Sequence, residues 1–161
     1  MASMLADGVF QIGFVVPDIH KGMAFFKDKL GVAEFLFIEN PELQDETYLG
    51  TPTPLRVHLA FGWCGDTQIE LIQPVSGVST YSKFLEHNAK GGMHHYGIEV
   101  PDYAQAVKDM EGRGYSLLQS GRHNETRFGY FDTTAEIGAL TEVVYLQSEE
   151  RAFMWGLKRK T

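Results

Sequence analysis

Gln11 and His95 can both bind a metal, and they stand at the same place in two copies of one motif. The first copy reads Gly8-Val9-Phe10-Gln11-Ile12-Gly13-Phe14-Val15-Val16-Pro17-Asp18. The second reads Gly92-Met93-His94-His95-Tyr96-Gly97-Ile98-Glu99-Val100-Pro101-Asp102, at a constant offset of 95 − 11 = 84. Two carboxylates complete the set. Glu70 lies in Gln68-Ile69-Glu70-Leu71-Ile72 and Glu142 in Leu140-Thr141-Glu142-Val143-Val144. A glutamate in the middle of an apolar strand is disfavoured by propensity. Buried there, it needs a cation, a proton or hydrogen-bond donors. A strand glutamate taken alone is more often a solvated side chain. Equivalence within the repeat is what singles out Gln11, Glu70, His95 and Glu142 as metal ligands. Two carboxylates, an amide oxygen and an imidazole form a mixed oxygen/nitrogen shell. That shell suits one divalent ion: Zn, Ni, Co, Mn or Fe. Gly13 and Gly97 follow Gln11 and His95 by two residues. They therefore share a strand face with them and leave room beside an ion.

The elements that must hold these residues repeat as well. A strand over Val9 to Val16 is followed by Pro17-Asp18, with Asp18 as N-cap of a helix. Ile19, Met23, Phe26 and Leu30 recur at helical spacing and form one buried stripe. Tyr103, Val107 and Met110 repeat that stripe in the second half, and Gly31 and Gly114 end the helices. Three further strands follow each helix, near Ala33–Ile38, Leu55–Trp63 and Thr67–Gln73, then Tyr115–Gln119, Arg127–Phe131 and Leu140–Leu146. Gly65-Asp66 is a hairpin turn. The stretch Glu39 to Pro54 has three prolines and no periodicity, and reads as a surface loop near a site. The expected fold is α+β, with two βαβββ modules that each form a curved, mixed sheet. The first module covers 8–75, a linker with a short helix over Thr80–His87 covers 76–91, the second module covers 92–147, and a tail covers 148–161. That tail is basic and partly aromatic, and it packs on the domain or on a partner subunit.

Bulk properties bound the function. The chain has 161 residues and a net charge of −7, which argues against nucleic-acid and anionic-membrane partners. No apolar run approaches bilayer length. Cys64 is the only cysteine, so no intrachain disulfide forms. The start lacks the basic and apolar segments of a secretory signal. A cytoplasmic protein is expected.

The chain resembles the vicinal oxygen chelate superfamily, also called the glyoxalase/bleomycin-resistance/dioxygenase superfamily, from Val9 to about Leu146. The carrying residues are Ile12-Gly13-Phe14-Val15-Val16-Pro17-Asp18-Ile19, Gly65-Asp66-Thr67-Gln68-Ile69-Glu70-Leu71-Ile72-Gln73-Pro74-Val75 and Phe84-Leu85-Glu86-His87-Asn88-Ala89-Lys90-Gly91-Gly92-Met93-His94-His95. Within it the motifs are most similar to the methylmalonyl-CoA epimerases. The resemblance implies paired βαβββ modules forming a cupped, eight-stranded mixed sheet around a metal site, metal ligands on the first and last strand of each module, and often a homodimer. Those epimerases usually carry His at the position of Gln11 and Gln at that of Glu70. They also place a catalytic glutamate before the third strand, where this chain reads Gly50-Thr51-Pro52-Thr53-Pro54-Leu55. A Gln/Glu/His/Glu set resembles one lineage of glyoxalase I.

The expected activity is metal-dependent stabilisation of an enolate during proton transfer next to a carbonyl. An epimerase or isomerase acting on an acyl thioester or related small molecule is the first reading. The alternatives are a glyoxalase I-type lactoylglutathione lyase and a non-catalytic small-molecule binder. Glu142 is the favoured catalytic base, by likeness to glyoxalase I, and Glu70 is its mirror-related alternative. Glu99 shares the face of His95 and is a weaker candidate. Arg122, His123 and Arg127, or Lys158-Arg159-Lys160, could bind a CoA moiety.

Overall fold

The computed structural model describes residues 3–5 and 7–158. Its strands are β1 (Val9–Val15), β2 (Phe35–Glu39), β3 (Gln44–Tyr48), β4 (Thr51–Pro52), β5 (Arg56–Cys64), β6 (Thr67–Ser76), β7 (Gly92–Glu99), β8 (Leu117–His123), β9 (Thr126–Phe131) and β10 (Leu140–Tyr145). Its helices are α1 (Ile19–Leu30), α2 (Thr80–His87), α3 (Tyr103–Gly112), α4 (Thr134–Ile137) and α5 (Ser148–Lys158). All the strands join one curled mixed sheet in the order β2-β5-β6-β1-β7-β10-β9-β8-β3-β4. The sheet therefore has ten strands among the described residues, not the eight expected from the sequence.

The two additional strands come from the stretch read as a loop. Between β2 and β5 the chain crosses to the far edge, where β3 pairs with β8 and β4 folds back on β3. This hairpin closes the edge that β8 would otherwise expose. It has few of the usual strand signals, because β3 is polar and Asp45 adopts φ 53°.

The repeat is visible as symmetry in the central ladder. β1 and β7 run antiparallel, with Gln11 opposite Gly97 and Gly13 opposite His95. Adding 84 to Gln11 gives His95, and adding 84 to Gly13 gives Gly97, so the repeat maps one pair onto the other. The two register breaks fall at Phe10 and His94, which are also 84 apart. β6 lies parallel to β1 and β10 lies parallel to β7. Glu70 is opposite Gly13 and Glu142 is opposite Gly97. All four donor residues thus meet where the modules join.

The helices dock as their sequences direct. The Asp18 carboxylate accepts from the backbone N–H groups of His20 and Lys21 and caps α1; Asp102 does the same for α3 through Gln105. Ile19 is fully buried, and Met23 and Phe26 pack beside it against Ala60, Ile69 and Leu71. Leu30 departs from the expected buried stripe. It is 58% exposed, because the sheet ends before the last turn of α1 reaches it. Ala106 and Met110 of α3 pack on Ile98, Phe131 and Val143. The two-residue turn at Gly65-Asp66 forms as expected, with Gly65 at φ 60°. No helix among the described residues is long and apolar enough to cross a membrane.

Candidate metal centre

The four side chains singled out in the sequence converge on one point. His95 Nε2 lies 3.0 Å from Gln11 Oε1, 3.1 Å from Glu70 Oε2 and 3.2 Å from Glu142 Oε2. All four residues are buried. Strand alternation places them: Gln11 and Glu70 come from β1 and β6, and His95 and Glu142 come from β7 and β10. The two glycines make the space. A Cβ at Gly13 would overlap the His95 ring, and one at Gly97 would lie 2.9 Å from Gln11 Oε1 and 3.2 Å from Glu142 Oε2.

The donor set asks for a cation. One imidazole nitrogen carries at most one proton, yet three oxygens surround it. Glu70 Oε2 and Glu142 Oε2 accordingly have no hydrogen-bond partner. Such buried acceptors are costly unless they are paired. Burial alone would strip the proton from His95, but the Glu142 and Glu70 carboxylates outweigh it and push the imidazole up to about 9. Burial raises Glu70 as well, against the neighbouring His95 imidazole, which lowers it. A divalent ion could accept an electron pair from every donor at once, and bonds of about 2.1 Å would suit the 3.0–3.2 Å separations of the three oxygens from His95 Nε2. The other ring nitrogen of His95 is already engaged: Nδ1 lies 2.9 Å from Nδ1 of His94. Burial and the neighbouring His95 keep His94 neutral, well below the usual histidine range. This leaves His94 free to accept from His95 Nδ1, so that with an ion in place Nε2 would offer it a lone pair.

Regular strand alternation would place His94 on the opposite face from His95, under a helix. It does pack against Tyr81 and Phe84 of α2. However, the bulge in β7 interrupts the alternation. Both rings therefore reach Tyr130, at 5.3 Å for His94 and 5.0 Å for His95. His94 is a neighbour of the donor cluster, not a remote core residue.

A cavity of about 350 Å³ opens onto the cluster. Its lining is mostly apolar, including Phe10, Leu36, Leu59, Phe61 and Phe128. Tyr81 and Tyr130 also line it; they were not anticipated as site residues, and a Tyr81–Tyr130 hydroxyl hydrogen bond of 2.8 Å joins them. Tyr130 stands opposite Glu142 in the β9–β10 ladder, but nothing in the sequence alone shows that pairing. α5 closes the mouth with Phe153 and Met154. It is anchored by Trp155 against Trp63 at 5.3 Å and by the Trp63 Nε1–H donating to the carbonyl of Met154. The tail thus packs on its own domain; Arg159 and Lys160 lie outside the described residues.

Three secondary expectations change. Glu99 does not reach the cluster, because Arg151 of α5 holds its carboxylate at 2.6 Å. Arg122 pairs with Asp45 at 2.5 Å, which removes it from an open basic patch. His123 lies at the cavity mouth but contacts Glu150 at 3.0 Å, and Arg127 is exposed on β9 outside the lining. Among the described residues, no Lys or Arg lines the cavity.

This sheet and donor set define a known class. The chain belongs to the Glyoxalase/Bleomycin resistance protein/Dioxygenase superfamily, which it matches over residues 10–131. It is 33% identical to the mitochondrial methylmalonyl-CoA epimerase of Bos taurus over 110 residues, covering 66% of this chain and 54% of that protein. It is 32% identical to the ethylmalonyl-CoA/methylmalonyl-CoA epimerase of Cereibacter sphaeroides over 110 residues, covering 68% of this chain and 73% of that one. The crystal structure of methylmalonyl-CoA epimerase from Mycobacterium tuberculosis shares the fold, with a TM-score of 0.65 at 20% identity, over 94% of this chain and 96% of that one. The chain spans about half the length of the mitochondrial relatives that it matches.

Proposed function

We propose that the protein is a divalent-metal-dependent epimerase or isomerase. It moves a proton on the carbon next to the carbonyl of an acyl thioester or a related small substrate. The observation that carries this reading is the four-donor cluster with two unpartnered carboxylate oxygens, set at the floor of an apolar cavity. Gln11, Glu70, His95 and Glu142 would hold the ion, which supplies a Lewis acid for the carbonyl oxygen. The names of the relatives, all CoA-ester epimerases, support the same reaction class.

The chain's own residues account for the remaining steps. The apolar lining takes up the acyl group and excludes water. Glu142 serves as base, and Glu70, at the mirror-related position, is its counterpart. Epimerisation removes a proton from one side of a carbon and returns one to the other side. Carboxylates on either side of a pseudo-two-fold axis are suited to that pair of tasks. The anionic part of a CoA ester stays outside, because no Lys or Arg among the described residues lines the cavity.

Incubating the metal-loaded protein with acyl-CoA esters in D₂O tests the reading. Deuterium at the α-carbon is the expected result. Absence of wash-in from every acyl-CoA, alongside isomerisation of a glutathione hemithioacetal, would move the assignment to a glyoxalase I-type lyase. The Gln/Glu/His/Glu donor set is the feature that favours that second reading.

A further inference from the structure

The donor cluster departs from two-fold symmetry at one neighbour. Gln68 faces Gln11 across the β1–β6 ladder, whereas the matching neighbour of His95 is Leu140. Gln68 is 2% exposed, a costly place for an amide where the other half has a leucine. Its polarity is dictated from outside the sheet. The Gln68 Nε2–H donates to the thioether sulfur of Met154 on α5, at 3.7 Å. A thioether has no proton to give, so it can only accept. Gln68 must then turn its oxygen the other way, and Gln68 Oε1 accepts from Gln11 Nε2 at 2.9 Å. The Gln11 amide is thereby left with its oxygen, Oε1, facing His95 Nε2. An amide can bind a cation only through oxygen, and it can flip; a carboxylate at the same place has no such ambiguity.

We propose that Gln68 is a positioning residue. With Met154, it holds the Gln11 amide oxygen-first toward the metal, so α5 communicates with the site through a chain of two amides. The inference rests on Gln11 being a metal ligand, as proposed above. It assigns a task to α5 residue Met154, which lies beyond the part of the chain that matches the superfamily.

The test is metal titration of the metal-stripped full chain with Co²⁺, read as affinity and as the visible absorption spectrum of the bound ion. Gln68→Leu should weaken binding by about tenfold and change the spectrum, as loss of an orienting partner does at other metal sites. Gln68→Glu still accepts from Gln11 Nε2 and should keep the wild-type spectrum. Met154→Leu should fall between them. The deciding comparison places Gln68→Leu in a Gln11→Glu background. There the leucine should change affinity by about twofold or less, because a carboxylate presents oxygen to the ion in either orientation. Equal losses in the two backgrounds would make Gln68 merely structural and overturn the proposal. An unchanged affinity and spectrum in Gln68→Leu would do the same while leaving the metal site intact. If the wild-type chain binds no Co²⁺, the metal reading and this inference fall together.

Discussion

Gly13 stands opposite His95 in the central ladder, and the His95 ring occupies the volume where a Cβ on residue 13 would lie. The same relationship holds between Gly97 and Gln11, with more room. Gly13→Ala should therefore displace the imidazole, lose the metal and cost about 1–3 kcal/mol of stability. Gly97→Ala presses less closely, on the Cβ and Oε1 of Gln11 and on the carboxylate end of Glu142. It should weaken metal binding while leaving the unfolding midpoint of the stripped protein nearly unchanged. Metal titration and thermal melts of both variants separate the two effects. Wild-type affinity in Gly13→Ala would show that the ring can sit elsewhere.

Glu70→Ala and His95→Ala should each be purified with little or no bound metal. Each removes a donor and leaves the remaining buried carboxylate and amide without a common partner. Elemental analysis after reconstitution is the measurement. Full occupancy in both variants would remove these residues from the ligand set.

Glu142→Gln keeps an oxygen for the ion but has no basic carboxylate. It should retain part of the metal and lose proton exchange at the α-carbon by a factor of about 10² or more. An unaltered exchange rate would transfer the role of base to Glu70 or to another group.

His94 and His95 should respond differently to phenylalanine. His95→Phe loses a donor and with it the ion. His94→Phe keeps the ring contacts with Tyr81 and Phe84 but removes the nitrogen that meets His95 Nδ1. Its metal should stay stoichiometric, bound about tenfold more weakly. Loss of all metal from His94→Phe, in a folded protein, would make His94 a ligand in its own right.

The donor cluster could be read from the chain because it obeys a short rule. One residue per edge of a repeated strand, at the 84-residue offset, finds Gln11 and His95. The glutamates that face the two glycines finish the set. Other features are set by contacts distant in sequence and have no local signature. β3 becomes a strand because β8 offers it an edge more than seventy residues away, not because of its own polar sequence. Glu99 shares the face of His95, as alternation requires, but Arg151 from the last helix decides what it does. Gln68 did carry a signal. It lies two residues before Glu70 on the same strand face, and its polarity among Ile69, Leu71 and Ile72 was open to question from the start.

The segment that joins the halves has glycines near both ends. Gly77 and Gly91 adopt φ 87° and 78°, and a side chain there would run into the carbonyl oxygens of Pro54 and Val15. Between them, α2 buries Tyr81 in the core. Exchange of halves between two copies would have to straighten this pinned connection and extract that tyrosine. The chain is thus built to close on itself, and the proposed ion would be enclosed by a single polypeptide. Its metal content per chain should then stay constant on dilution, whatever larger assembly the outer faces support.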